Sequence, residues 1–394
     1  MTFPPVEPHT ANSQKWPARI LIVRLSAHGD VIHTLPLLAA LKQHAPHTRI
    51  GWLVEASALP LLAGHPEIDH LHVSHRKDWL KRARNPLNWP AVWEEVAALL
   101  QELRQADYQV SLDVQGLLKS ALWPFWVKIP RRFGFRQTRE FADWLYTDKL
   151  PYHDFKNPKM PVIERFLDFA RVLGASVDEP SFTVPPVSEG SRQKVAALLS
   201  DTNTTWPLVV LAPFTRWESK HWRPDYWVEI LSELLNQPVR VAILGAPSDR
   251  QATEAMLAQL PHAVAGHQVM NWVGQTDWPD LYALFEQTRL LIGLDSAPLH
   301  IANAVGVPEI IGLYGPTAVG RTGPIGRQHS ALSTALSCQP CHERHCPLKT
   351  QACMQQLTPV VVLAMVRQHL LKPDVSKPVQ KGNLRVVRPD AGRA

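Results

Sequence analysis

Asp295 and Ser296 stand directly behind an apolar run, residues 290–294, that is typical of a strand buried on both faces of a sheet. Ser296 can cap a following helix, Pro298 suits the first turn of that helix, and Gly306 can end it. In a parallel sheet such a turn lies at the carboxyl end of the strands, where free amides and the helix dipole favour an anion. The pattern predicts a phosphate-binding turn.

Asp30 follows a second apolar run, residues 19–25, and stands beside Gly29 where a helix is predicted to begin. A glycine at such a turn lets a ligand come close, and a carboxylate there can act as a general base. Simple capping of the helix explains Asp30 equally well. The spacing excludes a Walker loop and a Gly-x-Gly-x-x-Gly dinucleotide turn.

Lys220 lies between a predicted strand, Leu208–Ala212, and a helix that is predicted to begin near Pro224. Its ammonium group and the free amides of that helix could together meet one diphosphate. The alternative is an ordinary surface lysine, which is the usual place for this residue type.

A basic segment with interleaved aromatic side chains follows the predicted strand at residues 109–113. Its basic residues are Lys128, Arg131, Arg132, Arg136 and Arg139, and its aromatic residues are Trp123, Phe125, Trp126, Phe133 and Phe135. Arginine forks could bind the phosphates of an amphipathic acceptor at a membrane face. A solvated surface beside a core aromatic cluster is the alternative.

The 394 residues are too many for one ordinary core and predict two domains. The chain is 45% hydrophobic and 19% charged, which is typical of a globular protein. A formal net charge of +6 and a pI of about 9.2 favour anionic partners. The sequence has no helix-turn-helix or zinc-finger pattern that would direct this charge to nucleic acid, and no apolar run long enough to span a bilayer.

All four cysteines, Cys338, Cys341, Cys346 and Cys353, fall within one short segment. The Cys-x2-Cys spacing of the first pair can supply two ligands of a structural zinc site. The later intervals do not repeat that pair, so reduced thiols and a disulfide remain open alternatives.

Strand and helix patterns alternate along most of the chain, which predicts an α/β protein with two Rossmann-like parallel sheets. The prolines and polar residues at 185–190 are typical of a linker. We expect a disordered lead at residues 1–17, domains at 18–184 and 185–372, and a disordered basic tail at 373–394.

Four motifs follow one another along the chain between residues 20 and 317. They are Ile-Leu-Ile-Val-Arg-Leu-Ser-Ala-His-Gly-Asp-Val-Ile-His-Thr-Leu-Pro at 20–36, Asp-Val-Gln-Gly-Leu-Leu-Lys-Ser-Ala at 113–121, Lys-His-Trp at 220–222, and Asp-Ser-Ala-Pro-Leu-His at 295–300 with Tyr-Gly-Pro-Thr at 314–317. Together they resemble glycosyltransferase family 9, the lipopolysaccharide heptosyltransferases, and most closely the heptosyltransferase I branch of that family.

The resemblance implies the GT-B fold, in which two Rossmann-like domains face across a cleft, and an inverting transfer that requires no metal or other cofactor. It assigns acceptor binding to residues 18–184 and nucleotide-sugar binding to residues 185–372. Asp30 matches the catalytic base, and Lys220 matches the lysine that steadies the leaving diphosphate of an ADP-sugar. The matching donor-binding residues are Thr215, Asp295, Ser296, Ala297 and His300, and the candidates for acceptor phosphates are Lys119, Arg132 and Arg139.

The implied reaction moves a heptose from ADP-L-glycero-D-manno-heptose to the Kdo or inner-core region of lipopolysaccharide on lipid A. That acceptor implies a cytoplasmic location at the inner face of the inner membrane, with an anionic bilayer and no nucleic acid as partner. Pro247 and Ser248 stand where the heptosyltransferase I pattern has an acidic residue that meets the ribose. Another nucleotide sugar on a similar core therefore stays open.

Two further functions are alternatives from other classes. A nucleotide-sugar epimerase would need additional acid and base carboxylates, and the sequence places none. A non-catalytic sugar-nucleotide-binding module gains nothing from Asp30, because a carboxylate repels a bound diphosphate.

Overall fold

Two compact units make up the computed structural model, which describes residues 16–151, 157–177, 179–200, 202–260, 269–326, 328–370 and 384–387. The described residues up to 151 and residues 162–186 form the first unit. Residues 157–161, which we expected in the first domain, belong with the second unit, together with those from 187 onward. Most of the expected disordered lead lies outside the described residues.

The first unit contains six strands and five helices among its described residues. The strands are β1 (Arg19–Val23), β2 (Arg49–Glu55), β3 (His70–Ser74), β4 (Val110–Asp113), β5 (Arg131–Phe135) and β6 (Asp148–Leu150). The helices are α1 (His28–His44), α2 (Arg76–Arg82), α3 (Trp89–Gln105), α4 (Leu118–Trp126) and α5 (Val162–Leu173). All six strands run parallel in the order β3-β2-β1-β4-β5-β6, which is the Rossmann order.

Helix α1 lies in the core of this unit, since every residue from Val31 to Leu41 is buried. The central strand β1 is apolar because helices cover both faces of a doubly wound sheet, and Ile20–Val23 are fully buried. This core fixes the carboxyl ends of β1, β2 and β4, where polar residues follow.

The second unit contains seven strands and eight helices among its described residues. The strands are β7 (Leu208–Ala212), β8 (Arg240–Ile243), β9 (Val269–Asn271), β10 (Thr288–Leu294), β11 (Glu309–Tyr314), β12 (Ser330–Thr334) and β13 (Leu384–Val387). The helices are α6 (Glu189–Leu199), α7 (Pro224–Leu235), α8 (Arg250–Leu257), α9 (Trp278–Phe285), α10 (Ala297–Val305), α11 (Val319–Thr322), α12 (Ala352–Gln355) and α13 (Pro359–Leu370).

Six strands of this unit, β7 to β12, run parallel in the order β12-β11-β10-β7-β8-β9, which repeats the Rossmann order. The seventh, β13, pairs antiparallel with β12 at the edge of the sheet. The expectation of a disordered tail is therefore wrong for residues 384–387, and the remainder of that tail lies outside the described residues.

None of the helices in the described part of the chain combines the length and the apolar character that a bilayer crossing needs.

Candidate active site

Asp30 lies in the first turn of α1, behind the carboxyl end of β1. Its Oδ2 is 2.6 Å from Nη2 of Arg24 and 3.4 Å from the backbone nitrogen of Ala27. Arg24 is almost completely buried, donates from Nη1 to the carbonyl of Val114 at 3.0 Å, and lies over the ring of Phe166 at 5.3 Å. The carboxylate is thus oriented by an anchored guanidinium, while 32% of its side chain stays exposed.

Lys119, in the first turn of α4, lies at the same edge of the first sheet as Asp30. Its Nζ donates to Oγ of Ser26 at 3.2 Å, and Ser26 precedes α1 directly after β1. Nζ is also 3.7 Å from Oε1 of Glu55, whose Oε2 is 3.2 Å from Nζ of Lys77. Burial lowers the pKa of Lys119, although Glu55 opposes that shift. Glu55, a buried carboxylate at the end of β2, was not among the predicted site residues, and its signal in the sequence is its position at a strand end.

Asp113 orders the turn behind β4. Its Oδ1 accepts from the amides of Gln115 and Gly116, each at 3.0 Å, and its Oδ2 accepts from the hydroxyl of Tyr146 at 2.7 Å. Gln115 in turn accepts from the amide of Leu25 at 2.8 Å. Burial raises the pKa of Asp113. The beginning of the 113–121 motif therefore ties two strand ends together, and Lys119 lies later in the motif with its ammonium beside Ser26 and Glu55.

Arg139 and Arg132 lie at opposite ends of β5. Arg139 is exposed and follows the carboxyl end of the strand, next to Glu140, which accepts from the amide of Leu118 at 3.1 Å. Arg132 lies at the amino end, and its Nε donates to the carbonyl of Leu145 at 2.8 Å. The structure therefore does not bring Arg132 together with Asp30 and Lys119, contrary to our expectation, because a parallel strand places its two ends at opposite edges of the sheet.

Lys220 and Asp295 form the centre of the polar cluster in the second unit. Nζ of Lys220 donates to Oδ2 of Asp295 at 2.7 Å and to the backbone carbonyl of Asp295 at 2.8 Å. The ammonium also lies over the ring of Trp217, 4.7 Å from its centroid. The lysine is therefore held at the carboxyl end of β10 and is not an ordinary surface lysine.

Three further side chains surround the carboxylate of Asp295. Thr317 donates to Oδ2 at 2.6 Å, Thr322 donates to Oδ1 at 3.3 Å, and Nε2 of His300 is 3.2 Å from Oδ1. Burial alone would raise the pKa of Asp295, but Lys220 and His300 outweigh it and hold the pKa well below its usual range. Thr317 and Thr322 were not among the predicted site residues, although Thr317 belongs to the fourth motif.

Helix α10 begins beside this cluster. Ser296 is its N-cap residue, yet its hydroxyl makes no capping hydrogen bond, and its buried Oγ has no hydrogen-bond partner in the described structure. Ala297 is the first helical residue, and the helix ends at Gly306 with φ of 88°. The opening amides of a helix have no partner within it, so the hydroxyl of Ser296 and the amides that follow are suited to bind an anion.

Thr215 lies in the loop between β7 and Lys220. Its carbonyl is 2.8 Å from Nε2 of His221, a contact that closes the loop around residues 215–221. Lys220 itself ends the short helical turn Glu218–Lys220. Thr215 therefore belongs to the same loop as the lysine, and its role in donor binding stays a prediction.

The four cysteines are free thiols. Burial and the neighbouring thiols Cys341, Cys338 and Cys346 raise the pKa of Cys353 to about 11. In the described part of the chain, three or more ligand-type side chains with atoms within 4.8 Å of one another occur only at His70, His72 and Glu102. The four thiols do not meet that distance criterion in the described structure, and a zinc site of cysteines stays a prediction.

Comparison with known families identifies the chain. The model of glycosyltransferase family 9 (heptosyltransferase) matches residues 96–352. The chain belongs to this family. As a family 9 member it is a glycosyltransferase of the lipopolysaccharide heptosyltransferase family, and the family and enzyme class that we expected from the sequence are confirmed.

Relatives along nearly the whole chain support this assignment. The family 9 chain is 26% identical over 389 residues to lipopolysaccharide heptosyltransferase 1 of Pseudomonas aeruginosa, covering 90% of this chain and 99% of the relative. The structure of E. coli ADP-heptose lps heptosyltransferase II is similar with a TM-score of 0.71 at 22% identity, covering 90% of this chain and 99% of that one. E. coli heptosyltransferase WaaC with ADP-2-deoxy-2-fluoro heptose gives a TM-score of 0.65 at 22% identity, with 89% and 99% covered. The expected GT-B fold with two Rossmann-like units is confirmed.

Proposed function

We propose that this glycosyltransferase moves heptose from ADP-L-glycero-D-manno-heptose to the Kdo or inner-core region of lipopolysaccharide, with inversion and without a metal ion. The observation that carries the proposal is the ion pair between the partly buried Lys220 and the buried Asp295 beside the start of α10. It provides an oriented cation next to helix amides, which is the environment that a leaving diphosphate needs.

The leaving group is stabilised by Lys220. An ammonium has three N–H donors, and two of those of Lys220 are used by Asp295, so the third is available for a phosphate oxygen. Asp295 accepts hydrogen bonds on both of its oxygens and is buried, so it acts by positioning the lysine. Because the ammonium and the helix dipole supply the positive charge, a divalent ion is not needed for this task.

Asp30 acts as the general base. Arg24 orients its carboxylate, and the exposed part of the side chain can reach an acceptor hydroxyl. As Asp30 takes that proton, the acceptor oxygen attacks the anomeric carbon of the donor and the bond from that carbon to ADP breaks. The configuration at the anomeric carbon is thereby inverted. Lys119 and Arg139 lie at the same edge of the first sheet and bind acceptor phosphates.

The donor is proposed to be ADP-heptose because structural relatives carry such names and ligands. Around Pro247 and Ser248, the acidic side chain of Asp249 accepts from the amide of Ala246 at 2.8 Å. Because the Asp249 carboxylate already accepts a hydrogen bond within its own turn, it is poorly placed to bind the ribose of ADP. A donor with a different nucleotide is therefore the alternative to be tested.

A panel of ADP-, UDP- and GDP-sugars with truncated lipopolysaccharide acceptors tests the proposal, with product detected by mass and parallel reactions in EDTA. We expect product from ADP-heptose with a Kdo-terminated acceptor, at the same rate in EDTA. Product formed only from another nucleotide sugar would identify that sugar as the donor. Loss of product in EDTA while the enzyme stays folded would contradict metal-independent transfer. Donor binding without any product would favour a binding module.

The first unit also carries a pair of exposed aromatic side chains behind β5, Phe141 and Trp144, which we call the aromatic patch. Phe141 and Trp144 are 69% and 77% exposed, and their ring centroids are 5.3 Å apart. The exposed Arg136 and Arg139 adjoin the patch along the chain. Aromatic side chains flanked by arginine suit the headgroup region of an anionic bilayer, so we propose that this patch holds the enzyme at the inner membrane.

Co-sedimentation with vesicles tests the patch. Binding to vesicles that contain anionic phospholipid is expected to fall several-fold in the double variant Phe141→Ser/Trp144→Ser. Leu348→Ser, which removes an exposed apolar side chain of the second unit, is the matched control and should bind like the wild type. Equal binding by all three proteins would remove the patch from this role.

A further inference from the structure

A cluster of two histidines and one glutamate lies outside the residues assigned to sugar transfer. His70 and His72 are two positions apart on β3 and therefore project from the same face of the strand. Oε1 of Glu102, on α3, is 2.8 Å from Nε2 of His70 and 2.7 Å from Nδ1 of His72. One nitrogen of each ring and one carboxylate oxygen lie within 4.8 Å of one another.

The second nitrogen of His72 also has a fixed partner. Its Nε2 is 2.7 Å from the hydroxyl of Tyr108, which is buried. Gly51 of the neighbouring strand makes room for this tyrosine, because a Cβ at position 51 would lie 1.8 Å from the hydroxyl. Metal-binding histidines usually donate their other N–H to such a partner, which fixes the ring and its tautomer. The cluster therefore includes Tyr108, which holds the ring of His72, as well as the three side chains that could bind a metal ion.

The cluster is open to solvent on one side. The side chains of His70 and Glu102 are 55% and 42% exposed, whereas that of His72 is fully buried. A metal ion can therefore enter and keep a water as a fourth ligand. Tetrahedral zinc spaces its nitrogen and oxygen ligands about 3.3 Å apart, which follows from bond lengths of about 2.0–2.1 Å. The present contacts of 2.8 and 2.7 Å are shorter than this, and His70 and Glu102 are the exposed side chains whose movement would widen them.

We propose that His70, His72 and Glu102 bind one divalent transition-metal ion, most readily Zn²⁺, with Tyr108 as the outer partner of His72. Two imidazoles and a carboxylate suit zinc, whereas magnesium and calcium prefer oxygen ligands. His70 begins β3 at the amino end of the parallel strands, while Asp30 and Lys119 follow the carboxyl ends. The ion is therefore structural: it joins the edge strand β3 to α3 and takes no part in sugar transfer.

The test uses the full chain after removal of metal with a chelator. Zn²⁺ is titrated calorimetrically, and Co²⁺ is titrated by absorption spectroscopy. Cobalt bound to thiolates gives a charge-transfer band in the near ultraviolet, so this band would reveal cysteine ligands. We expect one equivalent bound without that band, and a higher unfolding temperature with Zn²⁺. His70→Ala and Glu102→Gln should weaken binding by about 10-fold or more, and Tyr108→Phe by about 10-fold.

Two controls separate this site from other sources of binding. His47→Ala removes an exposed histidine of the same unit and should bind metal like the wild type. Cys338→Ser/Cys341→Ser should also retain binding. Wild-type affinity in both His70→Ala and Glu102→Gln would overturn the proposal, as would a wild-type chain that takes up no metal. Loss of all binding in the cysteine variant would assign the metal to the thiols and overturn it too.

Discussion

The ammonium of Lys220 bridges two oxygens of one residue, the carboxylate and the backbone carbonyl of Asp295, at 2.7 and 2.8 Å. These contacts join the loop behind β7 to the end of β10. The lysine is thus oriented before any donor binds, so little reorganisation is needed when negative charge develops on a leaving diphosphate.

Lys220→Ala is expected to lower kcat/KM by roughly 10²–10³, which is the usual effect of removing one preorganised donor from a charged transition state. The release of ADP measures turnover, and thermal unfolding checks that the second unit remains folded. Lys349→Ala, which removes an exposed lysine of the same unit, should retain full activity. An active Lys220→Ala enzyme would remove the lysine from the leaving-group role.

Because of Asp295, the free energy of unfolding of the second unit should decrease at acidic pH. The folded pKa of this residue lies well below the usual range, and the unfolded value is about 3.9. The stabilisation from this carboxylate is therefore complete above the unfolded pKa and is lost as pH falls through the window between the two values. Urea unfolding between about pH 6 and 2 should show a steeper loss of stability below about pH 4 for the wild type than for Asp295→Asn.

Asp295→Asn should also be less stable than the wild type at neutral pH, because the partly buried ammonium of Lys220 loses its counter-charge. Parallel pH profiles of the two proteins would show that Asp295 does not titrate as described.

Asp30→Asn is expected to lower turnover by roughly 10²–10⁴, the range for loss of a general base, while donor affinity stays largely unchanged. The amide keeps the shape of the side chain but cannot accept the proton. Single-turnover assays and calorimetric donor binding separate the two effects. Asp107→Asn alters an exposed aspartate of the same unit that pairs with Arg19, and it serves as the control. Unchanged turnover in Asp30→Asn would exclude Asp30 as the base.

Lys119→Ala is expected to raise the KM for a phosphorylated acceptor by about 10-fold, with the KM for the donor unchanged, because one charge-assisted contact is lost. A dephosphorylated acceptor should show a smaller difference between the two enzymes. Lys81→Ala, an exposed lysine on α2, is the matched control. An increase in the donor KM instead would place Lys119 with the nucleotide sugar.

Much of the parallel sheets could be read from the sequence. The strand expected at Leu208–Ala212 has the observed bounds, and the apolar runs at residues 19–25 and 290–294 form β1 (Arg19–Val23) and β10 (Thr288–Leu294). Buried parallel strands are continuous apolar runs, and that signal is local. The short edge strand β6 and strand β13 lack such runs and were missed.

The sequence by itself determined the α/β alternation, the turns that carry Asp30 and Asp295, and the resemblance to family 9, since apolar runs and turn residues are encoded by neighbouring positions. Only the tertiary structure decided which side chains meet. Arg24 beside Asp30, Lys220 against Asp295, and Glu102 against His70 and His72 are contacts between separate elements. The tertiary structure also separates Arg132 from Asp30. Arg132 lies near the amino ends of the parallel strands, whereas Asp30 follows their carboxyl ends.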